Sequence, residues 1–542
     1  MSVNYFGTDG IRGVVSQPSI DEETALHNLL IHRELSPQVG RLLGEAMARC
    51  FSSWSGQGDR VIIGWDDRPG NQHLVSELTC GLRVHGCEVI HIGLCSTPTL
   101  HHTIFTERAR VGCMVTASHN PVCDSGFKIF DAYGFKTDPV MEIELSETML
   151  HLANEDREVD EMEYNLLSQP SILKSKGWAE ECHRTWLETR RKHFNTLFSH
   201  QPIFHSSNLA SPFFLDCAKG FTSTWLASYL SSCGLEVIEV SQAASTLNHH
   251  CGAGDISPTQ TWTFEEASQS EHVLLNRLPF CPEGMIVGAA LDGDGDRCLF
   301  LVSTPSGFRV MDGDEIGALL LHACKDKEPW TCAASNESDI ALTSFLTTSQ
   351  PGTLVHQTAV GDRWLAHALQ SSNRLTIKSP HQPRYCGIED SGHILLAAPT
   401  NQEGEWSLVG DGAATLLVVC MAAYAHPTMN YERGWKSRVS VSPSKRERWY
   451  QNSNPYTTLS TMILDFFHEH SFNPNQHHLA GEPDALLIEG ALNHQLVSIG
   501  IRNSGTQAKT SLSIRTSPGM SLSLIDPLQI QLMKALTHAL QH

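Results

Sequence analysis

Residues 283–300 read EGMIVGAALDGDGDRCLF, a short apolar run that stops in three aspartates at alternate positions, Asp292, Asp294 and Asp296. An apolar run of this length bounded by turn residues reads as a buried strand. Alternation along an extended chain throws the three carboxylates to one side. Gly293 and Gly295 let the backbone turn tightly there. Bunched carboxylates repel one another, so the loop calls for a cation. Hard oxygen donors in so small a loop match Mg²⁺ and leave room for a water or a phosphate oxygen. A calcium EF-hand is excluded: position 12 counted from Asp292 is Ser303, not glutamate, and the flanks are not helical. A plain acidic surface turn would not follow a buried strand so abruptly.

The same strand–turn–helix grammar recurs along the chain. RVIIGWDDRPG leads into HLVSELTCGLRVHG; CEVIHIGLCSTP, VGCMVTASHNP and PFFLDCAKGFTSTWLASYLSSCG repeat the pattern, and MDGDEIGALLLHAC follows later. Apolar strands alternating with amphipathic helices predict mixed or parallel sheets covered on both faces. At 542 residues the chain is too long for one core. Polar stretches near 150–205 and 255–282 read as linkers or insertions. From about 435 the pattern changes to LVSIGIRN, KTSLSIRT and a last helix, DPLQIQLMKALTHALQ, which predicts a separate α+β domain.

Composition narrows the function. Hydrophobic residues at 41% and charged residues at 18% describe a folded globular protein. No apolar run reaches the length of a membrane helix and the start lacks signal-peptide regions, so a membrane partner is not expected. The 16 cysteines contain no C-x-x-C pair, which fits reduced thiols in a cytoplasm better than a zinc or redox framework. A formal charge of −21 argues against nucleic acid as a partner, while a local basic pocket remains compatible with an anionic small molecule.

Three further stretches carry chemistry. In VTASHNPVCDSGFKIF (115–130), Ser118 leaves a strand beside Ala117 and His119, a position exposed for attack or modification. The hydrolase elbow G-x-S-x-G is absent. Lys128 can neutralise phosphate or act as a base if its pKa is lowered. In IRNSGTQAKTSLSIR, Arg502, Ser504, the Gly505 amide and Thr506 form a cradle suited to phosphate. In CGIEDSGHILL, Glu389, Ser391 and His393 alternate and can hydrogen-bond sugar hydroxyls. Neither G-x-x-x-x-G-K-[ST] nor G-x-G-x-x-G occurs, so ATP and dinucleotides are not the expected ligands.

Taken together, TASHNP, DGDGDR, GIEDSGH and RNSGTQAK, in that order, resemble the loops of the α-D-phosphohexomutase superfamily. YFGTDGIRG, DCAKG (216–220), VGDR (360–363) and GDG (410–412) add to the likeness, and LNHHCGAGDI (247–256) is similar to amino-sugar members. Bacterial phosphoglucosamine mutases are the most similar branch. The resemblance implies four domains around a central cleft: three related mixed α/β sandwich domains at about 1–165, 185–305 and 306–430, and a C-terminal α+β domain at 435–542. It implies phosphoserine at Ser118, one Mg²⁺ per chain on Asp292, Asp294, Asp296 and a phosphoserine oxygen, and a hexose 1,6-bisphosphate primer. Arg12, His119, Lys128 and Arg297 would line the reaction centre, with Lys128 the expected base. Glu389, Ser391 and His393 would hold the sugar; Arg502, Ser504, Gly505 and Thr506 would grip the non-reacting phosphate. The implied reaction interconverts hexose 6-phosphate and 1-phosphate, with glucosamine phosphate ahead of mannose or glucose phosphate, in a monomer or homodimer. A degenerate sugar-phosphate-binding relative is the alternative, favoured by two departures. The family's usual lysine before VGDR is Ala359 here, with Arg363 and His356 as candidate replacements, and the phosphate loop carries Gln507 and Ala508 in place of acid and proline.

Overall fold

The computed structural model describes residues 3–157, 160–198, 208–370, 375–425, 429–504 and 509–541. The described residues build a sheet of seven strands, two of six and one of five. The first three share a four-strand unit in which three strands run parallel and a fourth returns antiparallel beside the third. In space the order is fourth, third, first, second. In the first sheet these are Asp124–Asp131, Val111–Val115, Arg60–Trp65 and Glu88–Leu94. In the second they are Cys298–Thr304, Ile286–Leu291, Leu209–Asp216 and Val237–Glu239. In the third they are Ile394–Pro399, Tyr385–Ile388, Thr331–Ser335 and Leu354–Thr358.

This repetition decides where chemistry can sit. The link between third and fourth strands holds TASHNP in the first sheet, DGDGDR in the second and EDSGH in the third. Each leaves the carboxyl end of a parallel strand, where open α/β sheets place their ligands. The fourth sheet differs: Lys436–Val441, Thr510–Thr516, Gln495–Asn503, Leu486–Leu492 and Asn473–His477 pair antiparallel throughout. Its core side packs helices Asn454–Glu469 and Leu522–Gln541. The expected mixed α/β architecture with an α+β last domain is therefore present.

The strands that feed the loops are fully buried runs, IVGAAL and VGCMV, as parallel strands covered on both faces must be. Helix Gly412–Ala425, GAATLLVVCMAAYA, is buried along its length and shares one apolar cluster with the second and third sheets. No helix among the described residues is long and apolar enough to cross a membrane.

Several sequence expectations need correction. The stretch near 150–205, expected to be a linker or an insertion, is more than a linker where it is described: it contains helix Trp178–Phe194, which buries Trp186, Leu187, Arg190 and Phe194. That helix is strongly polar overall, and its narrow apolar stripe hides its role from a composition reading. Ile172–Leu173 adds an edge strand to the first sheet, beyond the expected limit at 165. Residues 255–282 likewise supply an edge strand, Thr261–Thr263, to the second sheet. Gly307–Met311 also belongs to the second sheet, because it forms a tight hairpin with Cys298–Thr304. The second sheet thus runs past 305.

Candidate active site

The aspartate loop meets the serine loop directly. Ser118 Oγ donates to Asp292 Oδ2 at 2.8 Å, although the two residues are 174 positions apart. Lys128, from the strand that follows the serine loop, inserts its ammonium among carboxylates: Nζ lies 2.6 Å from Asp294 Oδ2, 2.8 Å from Asp296 Oδ2 and 3.2 Å from Asp9 Oδ2. Thr97 Oγ1 donates to Asp294 Oδ2 at 2.6 Å. One carboxylate oxygen from each of Asp292, Asp294 and Asp296 lies within 4.8 Å of the others. Asp294 Oδ1 and Asp296 Oδ1 are buried with no hydrogen-bond partner among the described residues. Unpaired hard oxygens of this kind fit Mg²⁺.

Burial and the neighbouring carboxylates Asp296 and Asp294 push Asp292 well above the usual carboxylate range. Burial works the same way on Asp296, but Lys128, His393 and Lys136 outweigh it and hold its pKa well below normal. For Lys128, burial opposes the charge, yet Asp294, Asp296 and Asp9 prevail and keep the ammonium protonated far above neutrality. This runs against the expectation that Lys128 serves as base: an ammonium shared by three carboxylates is a poor proton acceptor. His119 contrasts with it. Burial, then Arg297, Arg12 and Lys128, lower its pKa well below 6.5, and its Nδ1 is buried with no hydrogen-bond partner among the described residues.

The expected exposure of Ser118 is also corrected. The residue is buried, in a left-handed turn with φ +55°, and its carbonyl accepts from Arg68 Nη2 at 2.7 Å and Asn248 Nδ2 at 2.6 Å. Only its neighbour His119 reaches the cleft.

That cleft has two lobes of about 440 and 200 Å³, whose linings share His119, Arg297 and Ser391. All four sheets contribute to it. Arg12 and His119 come from the first sheet and its loops, Arg297 from those of the second, Glu389, Ser391 and His393 from those of the third, and Arg502 and Ser504 from those of the fourth. Arg12 is held by Asp9 at 2.7 Å and the Ala117 carbonyl at 3.2 Å. Arg297 Nε lies 3.7 Å from Asp292 Oδ2 and 3.9 Å from Asp296 Oδ1. Glu389 accepts from the Gly361 amide at 2.6 Å and from Ser391 Oγ at 3.4 Å. His393 Nε2 lies 3.4 Å from Asp362. Arg502 Nε donates to Glu337 at 3.1 Å, and its Nη1 lies 3.6 Å from Glu482. Gly505 and Thr506, with Gln507 and Ala508, lie outside the described residues.

The chain matches the family model described as phosphoglucomutase/phosphomannomutase, alpha/beta/alpha domain I, over residues 3–156, and that of domain III over 312–433. It belongs to the α-D-phosphohexomutase superfamily. Among its relatives in the superfamily, phosphoglucosamine mutase from Exiguobacterium sibiricum is 28% identical over 413 residues, 75% of each chain. A phosphoglucomutase/phosphomannomutase family protein from Burkholderia thailandensis has a similar fold, with a TM-score of 0.63 and 17% identity over 99% of this chain and 97% of its own. N-acetylphosphoglucosamine mutase from Aspergillus fumigatus, in complex with glucose 1,6-bisphosphate, has a TM-score of 0.53 and 14% identity over 92% and 99% of the two chains.

Sequence reading of this superfamily member missed several cleft residues. Glu337, Arg438 and Lys509 line both lobes. Arg438 Nη2 lies 2.6 Å from Glu337 and 3.1 Å from Asp390. The Lys509 carbonyl accepts from the Ser504 N–H at 2.9 Å, while its ammonium has no hydrogen bond or ion pair among the described residues, and burial with Arg438 and Arg502 lowers its pKa. Its position at the end of RNSGTQAK was a usable signal; Arg438, in an unremarkable strand, had none. Neither suggested replacement for the missing lysine at Ala359 reaches the cleft. Arg363 pairs with Glu142, and His356 is exposed on an edge strand.

Proposed function

We propose that this phosphohexomutase interconverts glucosamine 6-phosphate and glucosamine 1-phosphate through phosphoserine 118 and a hexose bisphosphate that also primes the enzyme. One observation carries the reading: Ser118, three aspartates and Lys128 share one buried cluster beside a cleft that all four sheets line. The glucosamine preference is supported by the likeness to phosphoglucosamine mutases.

Asp292, Asp294, Asp296 and an oxygen of the Ser118 phosphoryl group would hold Mg²⁺, which when bound withdraws charge from that group. Phosphoryl transfer depends chiefly on positioning and charge neutralisation, and the cleft is built for both. Glu389, Ser391 and His393 orient the sugar. A hydroxyl oxygen of the sugar attacks phosphorus as the bond to Ser118 Oγ breaks. His119, neutral and with a bare Nδ1, accepts the hydroxyl proton, and that same proton is passed on to the leaving Ser118 Oγ. Lys128, Arg12 and Arg297 offset the negative charge gathered there. Arg502, Arg438, Lys509 and Ser504 hold the phosphate that is not reacting, and the bisphosphate turns over so that its other phosphate returns to Ser118. We assign the four sheets to four domains, the last closing on the cleft to exclude water.

The decisive assay compares glucosamine, glucose and mannose 6-phosphates with Mg²⁺ and a hexose 1,6-bisphosphate. Highest kcat/KM on glucosamine phosphate, plus a phosphate adduct by intact mass that Ser118→Ala abolishes, is the expected result. Preference for glucose or mannose phosphate replaces the substrate; failure to phosphorylate Ser118 removes the mechanism.

A further inference from the structure

The stretch 247–256, LNHHCGAGDI, has no part in the chemistry above, yet it lies across the serine loop. Asn248 sits in the left-handed region at φ +57°, and its backbone N–H donates to the Ala218 carbonyl at 3.1 Å. Four residues on, the Gly252 N–H donates to Asp216 Oδ2 at 2.8 Å. The strap is thus pinned at both ends to the DCAKG turn of the second sheet. Gly254 then presses on the serine loop: a Cβ there would stand 2.7 Å from His119 Cβ.

The Asn248 side chain is buried at 7% exposure and bridges two carbonyls, donating from Nδ2 to Ser118 at 2.6 Å and to Asn120 at 3.1 Å. Both partners are acceptors, so the amide nitrogen must be the atom that faces them. The same amide fills the space against the metal loop. A Cβ on Gly293 would stand 2.8 Å from Asn248 Nδ2, 2.9 Å from its Oδ1 and 3.0 Å from the Ser118 carbonyl oxygen. Arg68 holds the same two carbonyls from the first sheet, at 2.7 and 3.0 Å. Asn248 is the counterpart from the second sheet, wedged between the serine and the aspartates.

We propose that Asn248 is a positioning residue for phosphoryl transfer, holding Ser118 in its left-handed turn and setting its spacing from Asp292, Asp294 and Asp296. The inference rests on the mutase reading. It needs an amide specifically: aspartate has the same shape but turns oxygen onto both carbonyl oxygens, and glycine keeps the positive φ while removing both bonds.

The test compares wild type, Asn248→Gly and Asn248→Asp with Mg²⁺, a bisphosphate primer and the preferred hexose 6-phosphate, each rate being taken per folded molecule. Expected is a kcat lower by about 10- to 100-fold in both variants, with KM changed less than about 3-fold, because misplacing the reacting group costs rate and not substrate binding. The ³¹P resonance of phosphorylated Ser118 should also shift. Wild-type kcat per folded molecule in both variants overturns the proposal, even where the thermal midpoint falls. Failure of the wild type itself to turn over any hexose phosphate is a different result and sinks the mutase reading.

Discussion

At the scale of single residues, the reaction centre is a problem of charge. Three carboxylates and one ammonium are buried together, and the loops tolerate this because Lys128 neutralises part of the negative charge. Asp294 is the best probe, being bound to both Lys128 and Thr97. Asp294→Ala should lower turnover by about a hundredfold or more. It also leaves Lys128 short of a partner while easing repulsion with Asp296, so unfolding stability should change by only about 1–3 kcal/mol. Mg²⁺ should raise the thermal midpoint of wild type and fail to raise that of the variant, since only a bound cation stabilises the native state by mass action. Wild-type activity in excess chelator would contradict the metal assignment. Across the cleft, Arg502 is already tied to two carboxylates, and Lys509 is the freer cation. Arg502→Ala and Lys509→Ala should each raise KM for mono- and bisphosphates alike, by about tenfold or more, with a smaller change in kcat. An unchanged KM in steady-state assays removes the residue from the phosphate grip.

Individual elements show what pattern reading captures and what it does not. Buried strands ending in acids, serine or glycine were legible from MIVGAAL and VGCMV because burial and alternation are local properties. Helix Trp178–Phe194 was not, since its partners are distant. It delivers Trp186 against His102 of helix Thr97–Thr106, with ring centroids 4.4 Å apart and planes 13° from parallel. Burial, reinforced by His101, His183 and Arg190, lowers the His102 pKa to about 3. The sign of its effect follows from proton counting. Below about pH 6.5 the unfolded chain takes up a proton at His102 that the native chain refuses, so stability contributed there is lost as pH falls from 6.5 toward 3. Denaturant titrations at pH 7 and pH 5 should show His102→Phe losing about 2 kcal/mol less than wild type over that interval. Equal losses would mean that His102 is not held neutral.

For the whole molecule, the governing feature is that four sheets must keep one cleft. The first three repeat a unit that puts its working loop at the same corner each time. The fourth is joined by ions to helix Gly313–Ala323 and to the EDSGH loop of the third: Lys436 Nζ lies 2.7 Å from the helix cap Asp312, 2.9 Å from Asp314 and 3.2 Å from Asp390. Lys436→Met should leave buried Asp314 without its cation, while Asp312 keeps Arg433 and Asp390 keeps Arg438, and lower stability by about 3–5 kcal/mol. Calorimetry should then show the C-terminal sheet melting apart from the rest, whereas a single unshifted transition would show that the network does not hold the sheets together.

Sequence alone determined the chemical inventory: which loops carry carboxylates, serine, sugar-binding polar groups and phosphate donors, and that strands deliver them. Those are properties of residue type and of spacing over ten or so positions. Tertiary structure decided how the inventory is used. Lys128 became a charge partner because Asp294 and Asp296, more than 160 residues away, enclose it. Ser118 is covered and not exposed, its hydroxyl held by Asp292, 174 residues on, and its carbonyl by Asn248, 130 residues on. Arg438 and Lys509 enter the cleft from the fourth sheet, while Arg363 and His356 do not reach it. Electrostatic and packing partners at such separations depend on how sheets dock, and no local pattern encodes that.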